Sequence, residues 1–455
     1  MRYIALCTDY DGTLATEGKV FPETAAALER LLAAKRRLIL VTGRELDELQ
    51  TVCPYLGLFE YVVAENGALL YEPRTHAETP LAQRPPDSFV AALRARGVGR
   101  ISVGRVIVAT WEPHETTVLE TIKDHGLELQ VIFNKGAVMI LPAGVNKATG
   151  LSAALKKMGL SPHNAVGVGD AENDHALLGL CECGVAVANA LPTLKEEADF
   201  VTSGERGAGV TELIAEMLKD DLASHEADLV RHHILLGVDS TEQEVHVRPY
   251  GENILLAGTP GSGKSALAAT LLEGLCEAKY SFCVIDAGGA FENFSGAVSL
   301  GAADRPPSVD EIRRLFRSPE QNGVINLSGL SLAKRQSFSA ELMPQLAELR
   351  RQTGRPHWLV IDSELAPAGG ASAPSVLQIT VRPNLLTAAA LADVNLLLAA
   401  GNSPEQMIQE FCQLAGTAMP RTNPVVLRKG EVLAWRPQAS NAAPFRLRIK
   451  PELVR

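Results

Sequence analysis

The sequence predicts an α/β protein with two domains, and two features carry that prediction. Short apolar, β-rich runs alternate with helical patterns along the whole chain, which is typical of parallel sheets covered by helices. A length of 455 residues with 46% hydrophobic and 21% charged residues suits a globular chain of more than one domain. We therefore predict a Rossmann-like core domain over residues 1–222 and a second α/β domain over residues 223–455.

The first half contains five apolar runs that we predict to be strands, and each is followed by a polar or glycine-bearing loop: 3–8, 38–42, 61–64, 165–168 and 198–202. Between residues 69 and 145 the pattern changes to alternating strands around a helical stretch near 114–125. We interpret this segment as a small inserted α+β cap, so the core comprises residues 1–68 and 146–222. Ligands of an open α/β sheet bind outside the carboxyl ends of its strands, where these loops lie.

Composition and charge narrow the functional classes. The formal net charge of −10 and a pI near 5.6 argue against a chain that coats nucleic acid. The seven cysteines are scattered and lack paired metal-ligand spacing, so we expect reduced core thiols. The chain shows neither a signal peptide nor an apolar run long enough for a membrane span, and we predict a cytoplasmic protein without membrane contact.

Four polar segments fall at predicted strand ends of the first half: "DYDGT" (9–13), "TGR" (42–44), "NK" (146–147) and "GDAEND" (169–174). Their order and spacing resemble the haloacid dehalogenase (HAD) superfamily of phosphatases, and in particular its Cof-type, or IIB, branch with a cap between the second and third motifs. The resemblance covers roughly residues 1–220. It implies a hydrolase that forms an aspartyl-phosphate on an aspartate nucleophile.

The resemblance also implies a role for each motif residue. Asp9 is the expected nucleophile, and Asp11 the group that protonates the leaving oxygen and later accepts a proton from water. Thr42 and Lys147 are expected to hold the phosphoryl oxygens. The remaining expected positions are the Mg²⁺ ligands Asp9, Asp11, Asp170 and Asp174, the orienting Asn173, and the substrate-facing Gly43, Arg44 and Asn66. Arg44 and Asn66 also have purely structural interpretations, as a helix-end ion pair and an Asn-Gly turn. Three cap residues, Arg105, Trp111 and His114, could line the site but are better interpreted as packing or surface residues.

A second motif, "ILLAGTPGSGKS" at residues 254–265, has the G-x-x-x-x-G-K-S spacing of a P-loop between an apolar strand and a helix. The predicted nucleotide-binding residues are Gly258, Thr259, Pro260, Gly261, Ser262, Gly263, Lys264 and Ser265. "WLVID" supplies Asp362 as a Walker B carboxylate, with Glu364 two residues later. Residues 234–415 resemble the HerA/FtsK class of P-loop ATPases, which implies ATP and Mg²⁺ as ligands and a homo-oligomeric ring.

This second resemblance is incomplete. Ser363 follows the Walker B aspartate directly, where that class usually has glutamate, so nucleotide binding is better supported than fast hydrolysis. Arg351, Arg355 and Arg382 are candidate arginine fingers, with surface charges as the plainer interpretation.

The leading hypothesis is a Mg²⁺-dependent phosphatase for a small phosphorylated metabolite, such as phosphoglycolate or a sugar phosphate, joined to an ATP-binding domain. Two alternatives stay open. One is a nucleic-acid end-processing enzyme that combines the phosphatase with the P-loop domain, and the other is a ring-forming ATPase that moves DNA. The inserted cap and the acidic first half favour the small substrate over nucleic acid.

Overall fold

The computed structural model describes residues 1–134, 136–362, 375–422, 424–439 and 442–449. The chain forms two compact units, Tyr3–Val230 and Arg231–Arg455. The sequence-based boundary lies at residues 222 and 223, just after the long helix that closes the first unit. No helix in the described ranges combines the length and the apolar character needed to cross a membrane.

The first unit contains strands and helices in alternation. Its strands are β1 (Ala5–Thr8), β2 (Arg37–Val41), β3 (Tyr61–Ala64), β4 (Leu69–Glu72), β5 (Ala77–Pro80), β6 (Ser102–Val103), β7 (Val108–Trp111), β8 (Leu129–Asn134), β9 (Ala137–Pro142), β10 (Ala165–Gly169), β11 (Cys183–Ala186) and β12 (Phe200–Val201). Its helices are α1 (Pro22–Ala33), α2 (Leu46–Val52), α3 (Asp87–Ala95), α4 (Glu115–Asp124), α5 (Lys147–Met158), α6 (His175–Leu180), α7 (Pro192–Glu197) and α8 (Arg206–Asp220).

The core sheet of this unit has the order β12-β11-β10-β1-β2-β3-β4-β5. The strands from β12 to β3 are parallel, and β4 and β5 extend the sheet as an antiparallel hairpin. All of β1 is buried, as its uninterrupted apolar sequence predicts for a strand covered on both faces. Because β1 lies between β10 and β2, the loops that follow these three strands meet at one edge of the sheet.

The cap is a separate antiparallel sheet with the order β6-β7-β9-β8. Strand β9 shows the two-residue alternation that a strand between two layers requires. Val138 and Ile140 pack in a core with α3 and α4, whereas Met139 and Leu141 pack on the opposite face. One face of the cap sheet is therefore covered by the helices of the cap, and the other face is directed toward the core of the first unit.

The start of the cap differs from the sequence-based division at residue 69. Residues 69–80 form the β4–β5 hairpin, and Tyr71 pairs with Val62 of β3 in the core sheet. The physical reason is that an antiparallel edge hairpin and a cap strand have the same alternating pattern, so the sequence could not show which sheet the hairpin joins.

The second unit is built on one large sheet. Its strands are β13 (Ile234–Asp239), β14 (Glu244–Val247), β15 (Asn253–Gly258), β16 (Phe282–Asp286), β17 (Val298–Leu300), β18 (Gly323–Asn326), β19 (Trp358–Asp362), β20 (Val376–Thr380), β21 (Leu396–Ala400), β22 (Glu431–Trp435) and β23 (Phe445–Ile449). Its helices are α9 (Lys264–Glu277), α10 (Val309–Leu315), α11 (Leu332–Thr353), α12 (Ala388–Ala392) and α13 (Pro404–Ala415).

The strand order of this sheet is β14-β13-β23-β22-β21-β15-β20-β19-β16-β18-β17. The strands from β21 to β17 are parallel, and the other four pair antiparallel at one side. Alternate residues of β15 enter different cores, with Ile254 and Leu256 on one face and Leu255 and Ala257 on the other. This is the covered parallel sheet that the sequence predicts for the second half.

Candidate active site

A buried lysine joins two carboxylates at the end of β1. The Lys147 Nζ atom lies 2.6 Å from Asp9 Oδ1 and 2.6 Å from Asp174 Oδ1. Asp9 follows β1 directly, and its backbone N–H donates to the Val168 carbonyl of β10 at 3.0 Å. Lys147 is the first residue of α5, whose Asn146 cap receives the Thr149 N–H. The end of β1 and the start of α5 thus bring together residues that are 138 positions apart in the sequence.

The electrostatics of this cluster follow from its burial. Burial raises the pKa of Asp9 to about 7, with the Lys147 charge opposing this shift and the Asp174 charge adding to it. Burial alone would lower the pKa of Lys147, but the carboxylates of Asp174 and Asp9 outweigh it and raise that pKa above its usual range. The lysine therefore stays charged, and a nucleophilic Asp9 needs more positive charge than the lysine supplies.

The arrangement of carboxylates fits a hard divalent cation. Oxygen atoms of Asp9, Asp170 and Asp174 all lie within 4.8 Å of one another in a buried setting. Three buried carboxylates against one ammonium group leave a negative excess that is costly without a further cation. Oxygen ligands of this kind suit Mg²⁺. The donor set and its charge therefore fit the magnesium site that the sequence predicts.

Asp174 holds the loop that carries Asp170. Its Oδ2 accepts the backbone N–H groups of Asp170 and Ala171, each at 3.0 Å. Gly169 allows this close approach, because a Cβ there would lie 2.5 Å from Asp174 Cγ. The hydroxyl of Thr13 donates to Asp170 Oδ1 at 3.3 Å. Backbone donors therefore set the orientation of Asp174, and Thr13 in the loop after β1 sets that of Asp170.

The side chain of Asp11 lies outside the buried carboxylate cluster. Arg44 donates to both of its oxygens, from Nε at 2.6 Å and from Nη2 at 2.7 Å, and also pairs with Glu48. Arg44 precedes α2 and pairs both with the expected acid/base residue and with Glu48 of α2, which agrees with the helix-end interpretation of this arginine. The substrate contact expected of Arg44 stays a prediction.

Thr42, Gly43 and Asn66 lie together beside this cluster. Thr42 is buried, its Oγ1 accepts the Arg44 N–H at 3.1 Å, and its carbonyl accepts the Asn66 N–H at 3.0 Å. Asn66 has a φ of 55° and Gly67 a φ of 103°. A Cβ at Gly67 would lie 1.9 Å from the Asn146 carbonyl oxygen, so this turn packs directly against the start of α5. The amide of Asn173 donates to Asn66 Oδ1 at 2.9 Å.

Comparison with known proteins agrees with this geometry. The family model for haloacid dehalogenase-like hydrolases matches residues 6–104 and 98–214. A phosphoglycolate phosphatase of Methanothermobacter thermautotrophicus is 31% identical over 221 residues, which are 47% of this chain and 98% of that protein. The chain belongs to this hydrolase family.

The family match ends at residue 214, so it concerns the first unit. Phosphoglycolate phosphatase 2 of Saccharolobus solfataricus is 29% identical over 231 residues, or 50% of this chain and 97% of that protein. A crystal structure of a haloacid dehalogenase-like hydrolase from Bacteroides thetaiotaomicron covers 47% of this chain and 99% of its own, with 18% identity and a TM-score of 0.42. HAD membership confirms the predicted α/β HAD-like core and supports phosphatase activity.

Glu65 is a residue of the hydrolase unit that the sequence analysis missed. It is fully buried, and its carboxylate accepts three backbone N–H groups of the cap, from Arg105 at 2.8 Å, Val106 at 2.7 Å and Ile107 at 2.9 Å. A carboxylate directly after a buried strand, in "AENGA", is the sequence signal that could have marked it. Glu65 therefore ties the cap to the loop that presents Asn66.

The three candidate cap residues have structural contacts. Arg105 pairs with Asp47 and Glu78 of the core. Trp111 is 43% exposed and lies under the guanidinium of Arg100. A ring nitrogen of His114 lies 3.4 Å from the Gly99 backbone N. These contacts agree with the packing interpretation of the three side chains.

The P-loop motif of the second unit lies between β15 and α9, in the strand-loop-helix order that the motif requires. Gly261 and Gly263 have φ angles of 78° and 85°, which glycine adopts without strain. The Lys264 Nζ atom donates to the carbonyls of Gly258 and Thr259 at 2.7 and 3.1 Å. The Thr259 carbonyl also accepts the Ser262 N–H at 3.1 Å. The loop around Pro260 is therefore compact and is held by hydrogen bonds between its own residues.

Asp362 ends β19, separated from the P-loop strand by β20. Burial raises its pKa to about 6, with the charge of Asp286 adding to the shift and that of Lys264 opposing it. Ser265 lines a cavity of about 300 Å³ together with Phe291 and Phe294. Glu364 lies outside the described residues.

Of the three arginine-finger candidates, Arg351 and Arg382 are exposed and Arg355 is buried. Arg355 is fully buried and donates to the Ser318 carbonyl at 2.9 Å, so its position fits neither a finger nor the surface charge that the sequence analysis preferred. Arg351 pairs with Glu348 on its own helix, as a surface charge does.

Proposed function

We propose that the first unit is a Mg²⁺-dependent phosphomonoester hydrolase that acts through an aspartyl-phosphate on a small phosphorylated metabolite. The observation that carries the proposal is the buried cluster of Lys147 with Asp9 and Asp174, beside Asp170, at the carboxyl end of a parallel sheet. HAD family membership supports the same reaction class.

The proposed reaction uses the side chains in two half-reactions. A carboxylate oxygen of Asp9 attacks phosphorus, the bond to the leaving oxygen breaks, and Asp11 protonates that oxygen. Water then attacks the phosphorus of the aspartyl-phosphate, Asp11 accepts its proton, and phosphate and the free Asp9 carboxylate are released. Lys147 and the Thr42 hydroxyl hold the phosphoryl oxygens throughout. The carboxylates of Asp9, Asp170 and Asp174 would hold Mg²⁺, which when bound would supply charge neutralisation to the phosphoryl group.

A small substrate is supported by two lines of observation. The relatives with 29% and 31% identity are named phosphoglycolate phosphatases. The cap also lies close over the core loops, since its backbone is bonded to the buried Glu65. We therefore place phosphoglycolate and small sugar phosphates first among substrates, ahead of the nucleic-acid ends of the alternative hypothesis.

Phosphate release from a substrate panel tests this proposal. The panel contains small phosphomonoesters and oligonucleotides with 3′- or 5′-phosphates, with Mg²⁺ or with a chelator. We expect Mg²⁺-dependent release from the small esters and a loss of at least about 10³-fold in Asp9→Asn. Turnover by Asp9→Asn would refute the nucleophile, and preferential release from oligonucleotides would establish the end-processing alternative.

We further propose that the second unit binds ATP with Mg²⁺ at its P-loop and so joins the phosphatase to a nucleotide-responsive domain. The support is the intact loop between β15 and α9, with the Lys264 ammonium on the loop carbonyls and close enough to Asp362 for their charges to interact. Backbone N–H groups at a helix start, with a lysine, form a phosphate site.

Binding of a fluorescent ATP analogue tests this second proposal. Lys264→Ala should weaken binding at least about tenfold, because the lysine compensates phosphate charge, whereas the exposed Lys334→Ala should not. Sedimentation with and without ATP tests the proposed homo-oligomeric ring. Equal ATP binding by wild type and Lys264→Ala would refute the P-loop site.

A further inference from the structure

Two asparagine side chains lie beside Gly43, next to the proposed phosphoryl site, and a third, Asn66, is hydrogen-bonded to one of them. A Cβ built at Gly43 would lie 3.5 Å from Asn173 Nδ2, 3.6 Å from the Met139 sulfur and 3.7 Å from Asn134 Nδ2. Met139 and Asn134 come from the cap, and strand β8, which ends at Asn134, packs beside the 172–174 turn of the core. Core and cap thus contribute amides to one small region.

Each of these amides has one buried polar atom that is not hydrogen-bonded. The atoms are Asn66 Nδ2, Asn173 Oδ1 and Asn134 Oδ1, and none has a partner within the described part of the chain. Asn66 is almost completely buried, with 1% of its surface exposed. A buried amide atom without a partner is costly, so a cluster of three points to a ligand group that bonds to them.

The hydrogen-bond pattern restricts the chemistry of that ligand group. The Asn173 amide donates to Asn66 Oδ1, which leaves Asn66 Nδ2 as a donor and Asn173 Oδ1 as an acceptor. Rotating both amides by 180° reverses the bond and again leaves one donor and one acceptor. A hydroxyl group both donates and accepts, so it can satisfy the pair. A carboxylate only accepts.

Strand geometry directs Asn134 toward this region. Side chains alternate between the two faces of a strand. Along β8, Val131 packs with the cap helices, whereas Ile132 packs on the opposite face with Met139. Asn134 shares the face of Ile132, and its neighbour Phe133 is 45% exposed on the other face.

We propose that Asn134, with Asn66 and Asn173, recognises a hydroxyl group of the leaving group. Of the two small-substrate classes placed first above, this narrows the choice to phosphorylated polyols and sugars, ahead of phosphoglycolate. This assignment rests on the proposed phosphatase function and gives it a substrate class. Asn134 is a specificity residue supplied by the cap.

Two substrates of matched size test the assignment: 2-hydroxyethyl phosphate and 2-phosphoglycolate, which differ by a hydroxyl against a carboxylate. The wild type should prefer the hydroxyl compound in kcat/KM by about tenfold, the equivalent of one hydrogen bond. Asn134→Ala should raise the KM of the hydroxyl compound about tenfold and reduce the preference, although the Asn66–Asn173 pair remains to bind the hydroxyl. Phe133→Ala, at the exposed neighbour on the same strand, should keep the wild-type preference.

A wild-type preference for phosphoglycolate would overturn the assignment. An Asn134→Ala variant that loses the same factor in kcat/KM for both substrates would overturn it as well. A second variant, Asn134→Asp, keeps an acceptor for the hydroxyl and should reject phosphoglycolate further through charge repulsion. Calorimetric binding of both compounds to the Asp9→Asn protein separates the two proposals. If the wild type releases no phosphate but the hydroxyl compound binds better, the proposed function fails and the recognition site stands.

Discussion

Replacing Glu65 by glutamine tests how the cap is held on the core. The Glu65 carboxylate accepts the Arg105 N–H with Oε1 and the Val106 and Ile107 N–H groups with Oε2. In Glu65→Gln the negative charge disappears, and an NH₂ group replaces one oxygen among three N–H donors. At least one buried N–H then loses its acceptor.

The size of the effect follows from these contacts. A hydrogen bond to a charged group is worth about 1.5–3 kcal/mol, and an unsatisfied buried donor costs about 1–3 kcal/mol. With one or two of the three bonds lost, we expect Glu65→Gln to lower the free energy of unfolding of the first unit by about 2–4 kcal/mol. This is a large part of the stability of an ordinary domain, about 5–15 kcal/mol.

Urea unfolding followed by circular dichroism measures this change. Glu60→Gln is the matched control, because Glu60 forms an exposed pair with Arg37, worth about 0–1 kcal/mol. The wild type and the two variants should rank in the same order of urea midpoint whether they are made as residues 1–230 or as the full chain. The reason is that the affected hydrogen bonds lie within the first unit. A Glu65→Gln midpoint equal to that of Glu60→Gln would refute the view that this carboxylate holds the cap.

Three further substitutions test other parts of the first unit. Arg44→Ala removes both bonds to the Asp11 carboxylate and should lower kcat about 10- to 100-fold with little change in KM; a raised KM with an unchanged kcat would place Arg44 on the substrate instead. Gly67→Ala should destabilise the unit by more than about 3 kcal/mol, because its Cβ overlaps the Asn146 carbonyl; a native thermal midpoint would contradict this. Lys147→Met should lower kcat at least about 10³-fold, since the phosphoryl group loses its buried cation, and rapid phosphate release would exclude that role.

The sequence by itself determined the strands and the motif residues that follow them. Asp9 ends an unbroken apolar run and Asp170 ends another, and parallel strands bring such ends to one edge of a sheet whatever the intervening chain contains. The spacing of its glycines, lysine and serine marked the P-loop motif, which lies between β15 and α9. These features depend on local patterns, which the order of residues records directly.

Only the tertiary structure decided which sheet the hairpin 69–80 joins, which partner Arg44 binds, and that Glu65 and Asn134 lie at the interface of core and cap. These facts depend on distances between segments tens of residues apart. An alternating strand pattern is the same in either sheet, and an asparagine in a strand carries no mark of the group it faces. Packing of the cap on the core sets those distances, and with them the contacts that we propose select the substrate.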